Sequence, residues 1–481
     1  MLFNSLAFLI FFPLVTAGWF LLPHKWRRWW LLGASCWFYM AFVPVYIVIL
    51  GFTIAVDYVA GIWIERSEGK RRKMLLVASI LANLGVLAFF KYYNFLNESI
   101  AAVVQGMGFH YSVPDLGILL PIGLSFHTFQ SLSYTIEVYR RHQKAERRIG
   151  TFALYVMFWP QLVAGPIERP GNLLNQLQER HDFNPDRIVA GLKQMLWGFF
   201  KKLVIADRCA VLVNLVYDDP AHHSGAALLL ATYLFALQIY CDFSGYTDIA
   251  LGAARCMGFD LMVNFRTPYL SRNISEFWSR WHISLSSWFR DYLYIPLGGN
   301  RVVKWRWYWN LMIVFLVSGL WHGANWTYVA WGALHGAYLI LAILFAGFWA
   351  GLQKRIGIGA GKQVVRLLNV FITFHLVVLA WVFFRAKNIE DAFLILRKIA
   401  TLTVEGLQLD ALKEVITSPS AALTVIIGAL FLLIDPFGDA LAKGTRRIQG
   451  TVTQYAWYLG LALSCLFLGQ YGSTMFIYFQ F

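Results

Sequence analysis

A histidine stands inside an uncharged run of 47 residues, Trp307 to Gln353, in the segment SGLWHGANW (318–326). An ionisable group at that depth in an apolar stretch is a functional hypothesis by default. The imidazole of His322 can take and return a proton near neutral pH, as general base chemistry requires. Gly319 and Gly323 flank it, so the backbone can be irregular there and a substrate can approach. The alternative is a neutral histidine hydrogen-bonded to a neighbouring helix, and the residues alone leave both open.

A second constellation lies upstream. Between Arg255 and Arg306 there are eight basic and three acidic residues, interleaved with Phe265, Tyr269, Phe277, Trp278, Trp281, Trp288, Phe289, Tyr292 and Tyr294. Its centre, EFWSRWHISLSSWFRDYLYIPLGGN (276–300), cannot lie bare in lipid, where each unsatisfied polar group costs several kcal/mol. The pattern suits an in-plane or re-entrant helix lining a polar cavity, or an amphipathic loop anchored by its Trp and Tyr. Arg280 and His282, beside Trp278 and Trp281, stand out as candidates for chemistry. A third group, YCDFSGYTD (240–248), sets Asp242 and Asp248 in an apolar run. Both need partners, which Arg255 or the basic block can supply; an ion pair or helix cap is the expected role. His127, His335 and His375 read as structural, and Lys201 and Lys202 as boundary residues that snorkel towards water.

Several familiar signatures are absent. The sequence has no GxSxG elbow, Walker A loop, HExxH motif or dinucleotide fingerprint. Its five cysteines, Cys36, Cys209, Cys241, Cys256 and Cys465, show no CxxC spacing and indicate neither a metal site nor a disulfide frame. Catalysis, if present, rests on isolated histidines.

The elements that must position these groups follow from composition. The 481 residues are 58% hydrophobic, 17% aromatic and 14% charged, with a mean hydropathy of +0.55; a soluble chain carries about 25% charged residues. The expected fold is therefore an all-α polytopic membrane protein. A secreted disulfide scaffold, a disordered chain and a soluble nucleic-acid binder are excluded, although the formal charge is +15. That excess is expected on cytoplasmic loops.

Crossing the hydrocarbon core takes about 20 apolar residues. Stretches at 1–24, 29–56, 74–90, 116–136, 149–167, 307–353, 367–384, 415–434 and 448–481 qualify or nearly so, and the 47-residue run can hold two spans. Less clean segments at 45–64, 192–217 and 226–253 bring the expected total to about eleven, with some re-entrant or in-plane pieces. The first stretch lacks the basic start of a cleavable signal and reads as a retained transmembrane helix. The basic segments 24–28, 65–73 and 140–148 fall on one side if residues 29–64 form two helices broken near Pro44, which places the N-terminus outside. No internal repeat of the kind common in secondary transporters is visible.

Taken together, LLPIGLSFHTFQSLSYTIEVYR (119–140), AGPIERP (164–170), YCDFSGYTDIALG (240–252), NFRTPYLSRNISEFWSRWHISLSSWFRDYLYIPLGGNR (264–301) and GLWHGANWTYVAWGALHG (319–336) resemble the membrane-bound O-acyltransferase (MBOAT) family. The likeness is to its bacterial branch for O-acetylation of exopolysaccharides such as alginate, and it runs in order to about residue 390. It implies one membrane-embedded domain over 1–481: N-terminal helices (1–148), a catalytic core (149–390) and C-terminal helices (391–481). The implied fold is a ring of about eleven tilted helices around a central tunnel. His322 matches the family's intramembrane catalytic base and His282 its second polar residue. Arg280, Trp281, Trp321, Asn325, Asp242, Ser244 and Asp248 would bind or orient substrate. No bound cofactor or metal is implied; acetyl-CoA would be the acyl donor. An exopolysaccharide acceptor, periplasmic acetyltransferase or SGNH-type partner proteins and the bacterial inner membrane would complete the system, without nucleic acid. The chain departs from the family at Cys241, where an aromatic residue is common, and in its last 90 residues, which match loosely apart from the terminal FIYFQF. A proton-coupled transporter and a non-catalytic scaffold are the competing expectations.

Overall fold

The computed structural model describes residues 1–481 except 118–119, 356–362, 403–411, 443–447, 449, 472–475 and 478–481. Of the terminal FIYFQF, only Phe476 and Ile477 lie within the described residues. All regular structure among them is helical. Backbone contacts group the chain into two compact units, Met1–Met195 with Thr247–Met262 and Leu196–Tyr246 with Val263–Phe481.

The first unit opens with α1 (Leu6–Leu21), α2 (His24–Met40), α3 (Tyr46–Arg66), α4 (Gly69–Leu87), α5 (Tyr93–Gly106), α6 (Leu124–Tyr139), α7 (Ile149–Met157), α8 (Pro170–Gln176) and most of α9 (Pro185–Phe199), whose last four residues belong to the second unit. Pro44 falls in the break between α2 and α3, where the expected interruption lies. Trp159 anchors an aromatic core, its ring 5.3 to 6.4 Å from those of Phe3, Phe8, Phe11 and Phe38. Deep in α3, the buried Asp57 carboxylate accepts from Ser79 Oγ at 2.7 Å and Asn83 Nδ2 at 2.9 Å, both on α4. Neutral donors thus satisfy a charge-bearing group that bare lipid would not tolerate. The Arg72 guanidinium of α4 donates to the carbonyls of Val138 and Tyr139, satisfying the C-terminal end of α6.

The second unit contains α10 (Asp207–Tyr217), α12 (Ile274–Arg280), α13 (Ile283–Phe289), α14 (Lys304–His322), α15 (Trp326–Leu344), α16 (Ala346–Arg355), α17 (Gln363–Arg385), α18 (Ile389–Ala400), α19 (Pro419–Ala442) and α20 (Thr451–Leu468). The 32-residue α11 (Gly225–Cys256) contributes to both units. A π-helical turn, Phe200–Ala206, joins α9 to α10. It turns Lys201 and Lys202 inward, so both are buried rather than snorkelling as their sequence position suggests. The Lys201 ammonium lies over the rings of Trp197 and Tyr240, at 5.8 and 5.9 Å.

Seven helical stretches are long and apolar enough to cross a membrane among the described residues. The chain is multi-pass, but length and apolarity do not by themselves reach eleven spans. The shortfall has local causes. α1 has 16 residues; Pro121 and Gly123, at φ 77°, delay the start of α6; and α7 stops after nine residues, ahead of Pro160 and Pro166. Helices α12 and α13 have seven residues each. At 1.5 Å per residue each reaches only about 10 Å, too short to span.

Small residues bring α14 and α15 together. α14 and its C-cap carry one GxxxG pair, Gly319/Gly323, and α15 another, Gly332/Gly336, a pattern that lets intramembrane helices approach closely. A Cβ on Gly319 would sit 2.3 Å from the Tyr328 carbonyl oxygen, and one on Gly332 would sit 2.3 Å from that of Phe315. Both obstacles are backbone, so neither can swing aside. Gly319→Ala should cost about 1–3 kcal/mol through overpacking, read as a lower melting temperature. It should also shift the turn that carries Trp321 and His322. An unchanged melting temperature would show that the helices have room to spare.

Candidate active site

His322 is the last residue of α14, where the chain leaves the helix through Gly323 before α15 begins. Its ring is buried among Trp321, Trp331 and Phe384, at centroid distances of 4.9, 4.9 and 5.3 Å. His282 occupies the break between α12 and α13 and is fully buried. Its backbone is left-handed, at φ 43°, a conformation that costs a non-glycine residue roughly 1–2 kcal/mol. Asn264 holds the turn in place. Its carbonyl accepts from Ile283 N at 2.9 Å and its Oδ1 from Ser284 N at 3.2 Å. The His282 ring stands edge-on to Phe243 of α11 at 4.6 Å and lies 6.2 Å from Trp321.

The two histidines, 40 positions apart in sequence, therefore meet the same indole. Trp321 contacts the His322 ring on one hand and the His282 ring on the other. Trp281 is also buried, stacked on Phe277 at 5.6 Å and packed against Trp381 and Phe265, each at 5.1 Å. It wedges the α12 turn against α17.

The remaining candidates divide between polar ends and structural supports. Arg280 is half-buried and forms an ion pair with Glu276, one turn earlier, at 2.6 Å. Glu276 also accepts from the backbone N–H and the guanidinium of Arg272, at 2.8 and 3.0 Å. Burial works to raise its pKa, but the Arg272 N–H and the two guanidiniums outweigh burial and hold the carboxyl below its ordinary range. Asn325 caps α15, its Oδ1 accepting from Thr327 N at 3.0 Å and its amide donating to the Lys387 carbonyl at 3.1 Å. Both ends of that side chain thus serve the fold.

Asp242 and Asp248 do not form one constellation. Six residues along a helix amount to one and two-thirds turns, so the two carboxylates leave α11 on different sides. Asp248, in the first unit, accepts from Gln194 Nε2 at 3.1 Å. Asp242, in the second, pairs with the Lys202 ammonium at 2.6 Å, and the same ammonium lies 2.8 Å from Asp207. Its counter-ion is Lys202, not Arg255 or the basic block. The other Asp242 oxygen accepts from Ile477 N at 2.6 Å, which ties the described end of the chain to α11. Ser244 is buried nearby, and its hydroxyl has no hydrogen-bond partner among the described residues. Next to it, Gly245 lets the end of α9 and the π-helical turn pass close: a Cβ there would lie 2.8 Å from the Gly198 carbonyl oxygen and 3.1 Å from Lys202 N.

Sequence reasoning missed Asn264 and Lys202. Asn264 opens the longest of the quoted blocks, and its position ahead of a polar, aromatic stretch was the available signal. Lys202 carried no such signal, because a π-helical turn has no simple sequence signature. His335, in turn, is buried among Phe277, Trp278, Trp331 and Trp381, and His375 accepts or donates at Tyr233 OH, 2.9 Å away. His127 bonds the Leu162 carbonyl.

The geometry defines a buried pair of imidazoles in a multi-pass helical protein, and comparison with known proteins names the class. The family model described as "MBOAT, membrane-bound O-acyltransferase family" matches residues 139–386, and the chain belongs to that family. It is an O-acyltransferase. It is 39% identical over 396 residues to the probable alginate O-acetylase AlgI of Pseudomonas aeruginosa, covering 82% of this chain and 74% of that one. Identity to the peptidoglycan O-acetyltransferase of Helicobacter pylori is 33% over 435 residues, covering 84% and 80%. The teichoic acid D-alanyltransferase of Bacillus subtilis is 29% identical over 290 residues, covering 57% and 71%. These relationships support the alginate O-acetylation branch and favour catalysis over transport or scaffolding.

Proposed function

We propose that this enzyme moves an acetyl group from cytoplasmic acetyl-CoA towards hydroxyls of an exopolysaccharide such as alginate, directly or through a periplasmic partner protein, in the bacterial inner membrane. The observation that carries this reading is the meeting of His322 and His282 at Trp321. The names of the similar proteins support acetyl as the group and a glycan as the acceptor, and the greater identity to the alginate enzymes favours an alginate-like polymer.

In this mechanism His322 removes the proton from the acceptor hydroxyl as its oxygen attacks the thioester carbonyl. The carbon–oxygen bond forms, the carbonyl oxygen gathers negative charge, and the tetrahedral intermediate collapses with loss of the CoA thiolate. The proton held by His322 passes to that sulfur, so atoms and charge balance without a covalent enzyme intermediate. His282 steadies the developing oxyanion. The aromatic walls supplied by Trp281, Trp321 and Trp331 exclude water, which would otherwise compete as acceptor. Exposed Arg301, Lys304 and Arg306, at the start of α14, attract the CoA phosphates. Arg280 orients the donor, and the Asp242–Ser244 segment holds the α11 face against which His282 rests.

The test is to supply purified enzyme with radiolabelled acetyl-CoA and an alginate oligosaccharide, with and without periplasmic extract, following free CoA and label on the sugar. Transfer to sugar supports the reading; transfer of another acyl group, with acetyl-CoA ignored, overturns the donor assignment. The same assay separates the two histidines. His282→Ala should lose about 10²-fold in kcat, the scale of one lost oxyanion donor, while retaining measurable transfer. Near-complete activity would remove His282 from the mechanism.

A further inference from the structure

In the first unit an open apolar groove of about 630 Å³ runs between α1 and α2, within the 300–1,000 Å³ range of small-molecule sites. Its lining includes Ile10 and Leu14 of α1 with Trp29, Gly33, Ala34 and Trp37 of α2. Gly33 and Ala34 leave the floor low, while the indoles of Trp29 and Trp37 rise as ribs. Ile10, Leu14, Trp29 and Trp37 are exposed, so in a membrane this groove opens onto lipid. Trp30, also in the lining, is fixed by an indole N–H bond to the Val15 carbonyl at 3.0 Å.

Charge gathers at one end. Lys25, Trp29, Gly33 and Trp37 follow one another at four-residue intervals and so form one stripe of α2, with exposed Lys25 at its head. Arg27 and Arg28 stand in the same turn. Arg27 donates to the carbonyls of Phe20, Leu22 and His181, and Arg28 to Thr151 Oγ1; all of these acceptors are neutral. The sequence contains no Asp or Glu before Asp57, so α1 and α2 supply three cations and no carboxylate.

We propose that this groove is a binding site for an anionic phospholipid, with an acyl chain laid between α1 and α2 and the head-group phosphate at Lys25 and Arg28. Long basic side chains with tryptophans below them suit the interface between head group and hydrocarbon, and clustered cations beside a membrane helix favour anionic lipids. The occupant is a lipid because the groove faces the bilayer, and it is anionic because the charge at its end has no carboxylate to balance it.

Two variants of the full-length protein separate the parts of the site. Gly33→Leu fills the groove, and it should fold because a Cβ there meets nothing within 4 Å. Lys25→Gln/Arg28→Gln removes the head-group charge and leaves Arg27 in place. In detergent, phosphatidylglycerol should raise the wild-type melting temperature by about 3 °C or more over phosphatidylcholine with the same chains, and native mass spectrometry should show a retained phosphatidylglycerol. The glutamine variant should lose the preference for phosphatidylglycerol, and the leucine variant should lose the retained lipid. Equal shifts with both lipids overturn the head-group assignment. Lipid retention unchanged by Gly33→Leu, or a Trp37→Cys variant that crosslinks to a second copy, overturns the groove as the lipid's seat.

Discussion

His322→Ala should lower acyl transfer by about 10²–10⁴-fold, the contribution of a positioned general base, with melting temperature close to wild type. The expectation rests on where the ring lies. It ends α14, buried within 5.3 Å of Trp321, Trp331 and Phe384, so an acceptor hydroxyl brought there would find a proton acceptor shielded from bulk water. In single-turnover experiments with labelled acetyl-CoA, the variant should still bind donor while failing to release CoA. A loss confined to KM would make His322 a binding group. Activity within a few-fold of wild type would remove the base from the mechanism. Comparison with His282→Ala sharpens the assignment, since the base should matter more than the group that steadies the oxyanion.

Lys202→Met should prevent most of the protein from accumulating in folded form. The ammonium is buried and shared between Asp207 and Asp242, at 2.8 and 2.6 Å, so its loss leaves two carboxylates facing each other in the interior. Breaking a buried ion pair from one side costs about 3–5 kcal/mol, a large part of the roughly 5–15 kcal/mol that holds a typical domain folded. Yield of monodisperse protein on size exclusion and its melting temperature are the measurements. Neutralising the carboxylates as well, in Lys202→Met/Asp207→Asn/Asp242→Asn, should restore much of the yield, because the desolvation cost disappears with the charges. Asp242→Asn alone should be milder, as Lys202 keeps Asp207. If Lys202→Met folds normally, the triad is not what secures α11 beneath His282.

The candidate residues are unevenly legible in the sequence, for reasons visible in individual residues. His322 was legible because an ionisable group in a long uncharged run has no bland neighbours to hide it. His282 was legible only as part of a polar, aromatic block; its left-handed backbone and support by Asn264 depend on contacts over some twenty positions. The break near Pro44 followed from proline's missing N–H and its effect on the preceding residue. Asp242 and Asp248 looked like a pair on paper, yet helical geometry sends them apart and gives each a separate partner. Lys201 and Lys202 looked like interface residues because charge in an apolar segment is expected to reach for water. The π-helical turn at Phe200–Ala206 reverses that expectation.

The sequence by itself determined that this chain is helical and multi-pass, because composition and local hydropathy act residue by residue, and it singled out His322 as a candidate for chemistry. Its motif order also carried the resemblance to the MBOAT family. Only the tertiary structure decided that His282 and His322 share Trp321, that Asn325 caps a helix and that Lys202 neutralises Asp242. Apart from the local cap bond of Asn325 to Thr327, those relations join residues from 39 to 62 positions apart, and their energies arise from packing and hydrogen bonds that exist only once the helices have closed around them.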